Sequence, residues 1–473
     1  MCLPAAARRA RLNAEPGVAM HRIVLALLLL LTTPAGAASF CQTEPADPGV
    51  PAILPLKARA ALEDGWLKDR LDTIVPRLMR ENGIDMWVLV AREYLEDPVV
   101  ATMLDAESMH ARRRTILVFF DPGGGRPVER LTVSRYGLGG LVEPAWNPEK
   151  QPDQWRALAD IIAARNPARL ALNVSAFSAF ADGLTASQHD ALVSALPKSL
   201  RGRIVSAEPL AIGWLEARTP AEMAVYPAIV RTAHAIIAEG FSGNVITPGK
   251  TTTDDVVWWY RERIAALKLD TWFQPSVGIS RPGTDAELEG DTVIQPGDLL
   301  WTDFGITYLR LNTDTQHMGY VLRPGETDAP AGLKAGLAAA NGVQDALLAA
   351  FRTGVTGNTV LADARGRAIA AGLEPSIYSH PIGYHGHAAG AAIGFWDNQN
   401  ADPRGEWKLK GKTAWSIELS ATRAVPEWGG QKVKFKLEED AFFDGSKVQF
   451  IDGRQTDFHL VPRAGKSATG CKQ

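Results

Sequence analysis

The period of the apolar positions changes repeatedly along the chain, and the changes divide it into two halves of different architecture. After a Pro-rich lead-in (38–55), helical spacing runs to about Asn82. Short unbroken apolar runs at 86–90 (MWVLV), 115–120 (TILVFF) and 169–174 (RLALNV) then predict buried strands. Helical spacing returns over 153–165 and 187–196. Interleaving of the two periods predicts an α/β domain over 56–210.

The second half (211–463, before a short tail 464–473) opens on Thr219-Pro220-Ala221-Glu222. That tetrapeptide is a capping box with proline at the first helical position, and it heads an apolar stripe at Tyr226, Ile229, Val230, Ala233, Ile236, Ile237 and Phe241. A second helix is expected over 254–267, then a strand at 299–306 with an antiparallel partner around 312–322. Helices at 330–352 and 359–371 follow, and the last hundred residues read as strands with turns at Asp444-Gly445 and Asp452-Gly453.

Composition narrows the classes. With 46% hydrophobic and 22% charged residues the chain is globular, not disordered, collagen-like or a polytopic membrane protein. The formal net charge of −3 hides four arginines (Arg8, Arg9, Arg11, Arg22) against one acid (Glu15) in 1–37, so the remainder carries about −6. Without a basic run, nucleic acid has little to hold. The stretch 23–31 (IVLALLLLL), preceded by Arg22 and followed by Ala35-Gly36-Ala37, reads as a secretory signal peptide too short to span a bilayer. The expected mature protein starts near Ala38, is secreted or periplasmic, and has no membrane span after signal cleavage. Of three cysteines, Cys41 and Cys471 would remain, either bridged or as two free thiols.

Candidate chemistry gathers in the second half. Asp303 interrupts the apolar strand at 299–306, where a carboxylate is costly unless paired, protonated or bound to a cation. Asp314 follows within Asn312-Thr313-Asp314-Thr315, so a hairpin would bring the two acids together; a strand-end and a turn aspartate are the ordinary alternative. Residues 380–390 (HPIGYHGHAAG) place three of the nine histidines, His380, His385 and His387, in a Gly-rich loop. Glu418 and Glu438 each stand in an alternating strand, and a slip of one residue would exchange Glu438 for Glu439. Four carboxylates and an imidazole suit two divalent cations of intermediate hardness.

This ordered set resembles the pita-bread metallopeptidases, the family of Xaa-Pro aminopeptidase, prolidase and methionine aminopeptidase, whose ligands run Asp, Asp, His, Glu, Glu. The resemblance covers about 218–461, and the first half is similar to the N-terminal domain of the creatinase–prolidase branch. It implies an α/β N-terminal domain followed by an α+β pita-bread (creatinase/aminopeptidase) catalytic domain. The implied metal ligands are Asp303, Asp314, His387, Glu418 and Glu438, with His387 chosen because Gly390 completes a His-x-x-Gly segment and His385 as its competitor. His380 becomes a candidate proton donor or substrate contact, or else a turn cap before Pro381. Manganese is the first expected metal, with cobalt, zinc or iron as alternatives. In the implied mechanism Asp314 and Glu438 bridge two metals, and Glu418 collects the proton of an activated water and passes it to the leaving nitrogen.

The implied activity is an exported aminopeptidase acting on Xaa-Pro peptides, with a homodimer as the candidate assembly. Hydrolysis of another C–N bond, such as that of a dipeptide, and non-catalytic peptide or partner binding are the alternatives. Two departures from the family bear on this choice. The stretch 283–289, where family aminopeptidases carry a histidine before the first ligand, has none. Seven residues past His387 stands Gly394, with Trp396 nearest the place of a second family histidine.

Overall fold

The computed structural model describes residues 50–462, so the signal-type stretch, Cys41 and Cys471 lie outside the described residues. The expected helix at the start of the first domain spans Leu56–Glu81 and buries Leu67, Leu71, Ile74, Val75 and Leu78. It covers a six-stranded sheet in which Met86–Arg92 pairs antiparallel with Arg114–Phe120 and parallel with Leu170–Leu172. Of the three runs read as buried strands, 86–90 is wholly interior, 115–120 is interior except for Phe120, and 169–174 is interior only through its strand Leu170–Leu172 and Asn173, since the sheet is covered on two faces by separate apolar clusters. Helix Gln154–Arg165 starts on the Asp153 side chain, which accepts from the Trp155 and Arg156 amides.

Besides the short helices Pro98–Met103 and Lys198–Arg201, one longer helix has no legible pattern in the sequence. Glu208–Glu216 is buried on every side, so it shows no stripe, and it packs Leu210, Ala211, Trp214 and Leu215 into the first domain's core. The division expected at 210/211 therefore falls inside a helix that packs with the first domain.

Both halves of the Thr219 capping box are present. The Thr219 hydroxyl accepts from the Glu222 amide, and the Glu222 carboxylate accepts from the Thr219 amide at 2.7 Å. Glu222 also has a partner no local pattern announces: Arg70 of the first helix, at 3.0 Å, with both side chains fully buried. Tyr384 donates to the same carboxylate at 2.8 Å. Burial opposes the charge on Glu222, but Arg70 and Arg218 overcome it and hold its pKa below the usual carboxylate range. Arg70→Met should therefore strand a buried carboxylate and cost about 3–5 kcal/mol. Urea denaturation of the two proteins checks this; a change within error would show that Glu222 relaxes to other partners.

The second domain is built on a ten-stranded, mostly antiparallel sheet. Thr315–Val321 lies at its middle, between Leu299–Phe304 on one side and Gln431–Phe443 on the other, with Thr413–Val425 beyond. Ser276–Arg281 and Thr284–Leu288 form an edge hairpin that the sequence reading left out, because the returning strand is largely exposed. Helices Pro220–Gly240 and Thr253–Ala266 cover one face through Ile229, Ile237 and Tyr260, packed on Ile279, Leu300 and Phe304. Helices Ala331–Leu348 and Gly357–Ala370 cover Trp415, Ile417, Leu419, Phe435 and Leu437. At Gly336 the helix approaches so closely that a Cβ would lie 2.0 Å from the Phe435 ring. Because successive strand residues face opposite ways, Asp303, Glu418 and Glu438 all point to the face these helices leave open.

No helix among the described residues is long and apolar enough to cross a membrane.

Candidate metal centre

Strand register assembles the acids. Asp303 pairs with Gln316, Gln316 with Glu438, and Glu438 with Glu418, so four neighbouring strands present one transverse row on one face. A second row lies two residues along. His380 pairs with Ser416 and Ser416 with Asp440, whose carboxylate faces the Asp314 amide at 3.4 Å. The hairpin expected between Asp303 and Asp314 exists, with Leu309 and Arg310 at its tip, both at positive φ (53° and 62°). Arg310 is anchored from the first domain by Glu63 at 2.9 Å and the Leu104 carbonyl at 2.7 Å, which holds this unfavourable turn.

Ligand atoms of three overlapping groups lie within 4.8 Å of one another: Asp303, Asp314 and Glu438; His380, Glu418 and Glu438; and Asp314, His380 and His387. So many buried acids cannot all ionise. Burial, opposed by Lys436, pushes Asp303 up to about 7. Burial and then Asp303 push Glu418 up to about 8. Burial and the neighbouring carboxylates drive Asp314 and Glu438 well above the usual range. Protons or cations must balance this site.

The three histidines separate sharply. The buried His380 places Nδ1 3.0 Å from the Pro381 carbonyl, which fixes Nδ1 as the donor, and points Nε2 at Asp314 Oδ2 (3.5 Å) and Glu438 Oε1 (3.8 Å). That Nε2 has no hydrogen-bond partner. Burial, reinforced by His387, lowers the His380 pKa to about 3 and keeps the ring neutral. His387 is exposed, edge-on to Trp272 (5.1 Å between centroids) and His380 (4.8 Å). His385 turns toward the first domain, stacks on Phe180 at 4.7 Å, and joins none of the ligand groups among the described residues. Glu439 faces the other side of the sheet, next to His317 and His234, as strand alternation requires.

Several contacts in the site went unread in the sequence. Gln316 Nε2 donates to Glu418 at 2.6 Å and to Glu438 at 2.9 Å. The Ser416 hydroxyl donates to Glu438. Lys436 lies over Trp301 at 3.5 Å and pairs with Glu287 at 2.9 Å. All of these signals were present: Gln316, Ser416, Lys436 and Asp440 each stand two positions from a recognised acid, on the same strand face.

A cavity of about 690 Å³ adjoins His380 and His387, walled by Phe180 and Ile212 of the first domain and by Tyr378, Phe395 and Trp407. Its sides are largely apolar and the imidazoles of His380 and His387 line it, His380 standing between the cavity and the acids, which is the general form of a small-ligand site. The unpartnered Nε2 of His380, the unpartnered Oδ1 of Asp303 and the surplus of buried acids fit a divalent cation centre with carboxylate and imidazole donors.

Residues 228–440 match the model of metallopeptidase family M24. No curated protein matches the chain. Among solved structures, the chain is similar to an X-Pro aminopeptidase from Thermotoga maritima (17% identity, TM-score 0.58), covering 81% of this chain and 100% of that one. It is also similar to an Xaa-Pro dipeptidase from Bacillus anthracis (16%, TM-score 0.52; 86% and 100% covered). A third is a dipeptidase from Mycobacterium ulcerans (18%, TM-score 0.54; 85% and 99% covered). At these identities the structures speak for the fold, which is the pita-bread fold with an α/β domain before it. Family match, fold and acid-lined centre agree: residues 228–440 match metallopeptidase family M24, within a domain of the pita-bread fold.

Proposed function

We propose that this chain is an exported aminopeptidase that uses two divalent cations to hydrolyse the first peptide bond of its substrate, with Xaa-Pro peptides the first candidates. The observation that carries this reading is His380, buried and neutral, with Nδ1 committed to a carbonyl and an unpartnered Nε2 facing Asp314 and Glu438. An imidazole anchored through one nitrogen and offering the other to a group of carboxylates is arranged as a metal ligand. We therefore assign the cations to Asp303, Asp314, His380, Glu418 and Glu438, with His380 in place of His387. Asp314, His380 and Glu438 each belong to two of the ligand groups, which supports a centre that would hold two neighbouring cations. A donor set with four carboxylates and one imidazole favours manganese, with cobalt, zinc or iron able to replace it. Bound there, the cations would supply Lewis acidity and an acidified water near neutral pH.

The other residues take roles from their positions. With His380 as ligand, His387 falls seven residues beyond it, where aminopeptidases of this kind carry their second histidine. Exposed to the cavity, it can hold a substrate carbonyl or pass a proton. Gln316 holds the Glu418 carboxylate at the end of the acidic row, where it can take a proton from the nucleophile and return it to the leaving nitrogen. The other departure stays: no histidine stands at 283–289, where Glu287 meets Lys436. Phe395, Tyr378 and Trp407 offer flat apolar walls to a compact residue such as proline. Export rests on the 23–31 apolar core with its basic flank and small-residue site.

The test is a peptide-library digest of protein expressed from residue 38, together with metal analysis. Release of single N-terminal residues that is lost on chelation and restored by Mn²⁺ is expected. Protein that holds two equivalents of metal yet cleaves no Xaa-Pro peptide would overturn the specificity.

A further inference from the structure

On the face of the sheet opposite the acidic row lies a second group of metal-ligating side chains. Glu439 and His317 follow Glu438 and Gln316 in their strands and therefore point the other way, toward helix Pro220–Gly240, which contributes His234. His317 Nε2 lies 3.0 Å from Glu439 Oε1, and His234 Nε2 lies 3.1 Å from Glu439 Oε2. The ligand atoms of the three residues all lie within 4.8 Å of one another.

We propose that His234, His317 and Glu439 form a separate mononuclear metal site, taking a borderline divalent cation, with zinc the first choice. The far nitrogen of each ring is already held: His234 Nδ1 faces Asp452 Oδ2 at 3.5 Å, and His317 Nδ1 faces His459 Nε2 at 3.2 Å. Asp452 is fixed in turn by Arg231 at 2.6 Å. Anchoring Nδ1 on a carboxylate or another ring leaves Nε2 as the metal-facing nitrogen. Glu439 Oε1 already receives the Gln455 amide at 2.7 Å, but Oε2 does not make a hydrogen bond. His234 Nε2, only 3.1 Å away, forms an ion pair with that oxygen when the ring is protonated, and a metal bound there would take the place of the proton. Tetrahedral zinc with bonds of about 2.0–2.1 Å spaces its ligands by roughly 3.3 Å, close to the distance from each imidazole to its nearer Glu439 oxygen. Two histidines and one carboxylate leave a fourth position for water, and the His234 side chain, 17% exposed, opens that side to solvent.

The site would tie the helix to the two central strands from behind, whatever the chemistry on the other face, so it does not depend on the aminopeptidase reading. The protein expressed from residue 38 is loaded with Zn²⁺, dialysed and assayed for metal per chain. His234→Gln is expected to hold one equivalent fewer than the parent. In an Asp303→Asn, Glu418→Gln background one equivalent should remain, and Co²⁺ in that background should show the visible absorption of a tetrahedral site, lost on adding His317→Gln. An unchanged count in His234→Gln, or no metal in the acid-depleted background, would overturn the proposal. If His234→Gln does not fold, the Co²⁺ spectrum of the acid-depleted background decides alone. A full count surviving in that background would instead count against the dinuclear centre.

Discussion

His380→Ala should release metal and abolish peptidase activity, while His387→Ala should keep its metal and lower kcat by about 10²–10⁴-fold, the range for loss of a proton-transfer group. The two residues differ in what surrounds their nitrogens. His380 Nε2 faces the carboxylates of Asp314 and Glu438 with no other partner, whereas His387 lies at the cavity edge against Trp272. Removing His380 leaves Asp314 and Glu438 without their neutral donor; removing His387 leaves the acidic row as it was. Metal content of the dialysed variants and their kcat and KM on an Xaa-Pro peptide decide the matter. Metal lost from His387→Ala and retained in His380→Ala would reverse the assignment.

Chelated protein should lose thermal stability as pH rises from about 4 to about 8, and Mn²⁺ should invert that slope. Asp303 is pushed up to about 7, by burial against the partial relief of Lys436, and Glu418 up to about 8, by burial and Asp303. An unfolded chain would titrate these acids near 4. Below that pH both states are protonated and the stability is fully present. As pH rises through the folded values, the native state must either keep protons that the unfolded chain has released or bury charge, so stability is lost across that window. Each unit of pKa difference corresponds to about 1.4 kcal/mol, so several such groups should move Tm by many degrees. A bound cation displaces the protons, and its affinity therefore grows with pH. At a hundredfold excess over Kd each cation adds about 2.7 kcal/mol. Calorimetry from pH 4 to 8 with chelator and with Mn²⁺ checks both slopes; a flat Tm for the chelated protein would mean that the acids find other compensation.

Much of the fold is written in local patterns. The Thr219 capping box, the apolar stripe behind it and the alternation of 415–419 and 433–438 rest on neighbours a few residues apart, and each pattern falls inside the helix or strand it announces. The helix Glu208–Glu216 and the edge strand Thr284–Leu288 escaped for opposite reasons. One is buried all round and the other mostly exposed, so neither has a face that contrasts with the rest.

For the acids, period-two alternation was enough: it set Glu418 apart from Trp415, Ile417 and Leu419, and Glu438 apart from Glu439, and register then brought both to one row with Asp303. The histidines could not be resolved that way. His-x-x-Gly occurs twice within eleven residues, as His380-Pro381-Ile382-Gly383 and as His387-Ala388-Ala389-Gly390, so the local signal is degenerate. What separates them is that His380 lies in a short strand paired with Ser416, while His387 lies in the loop after it. By itself, then, the sequence determined the order of elements, the grouping of the carboxylates and the type of chemistry they suit, because these follow from side-chain identity and periodicity. Only the tertiary structure decided which imidazole faces the acids, which residues on the same strands hold them, and which partners Glu439 meets on the other face, because strand pairing joins residues tens to more than a hundred positions apart that no local pattern relates.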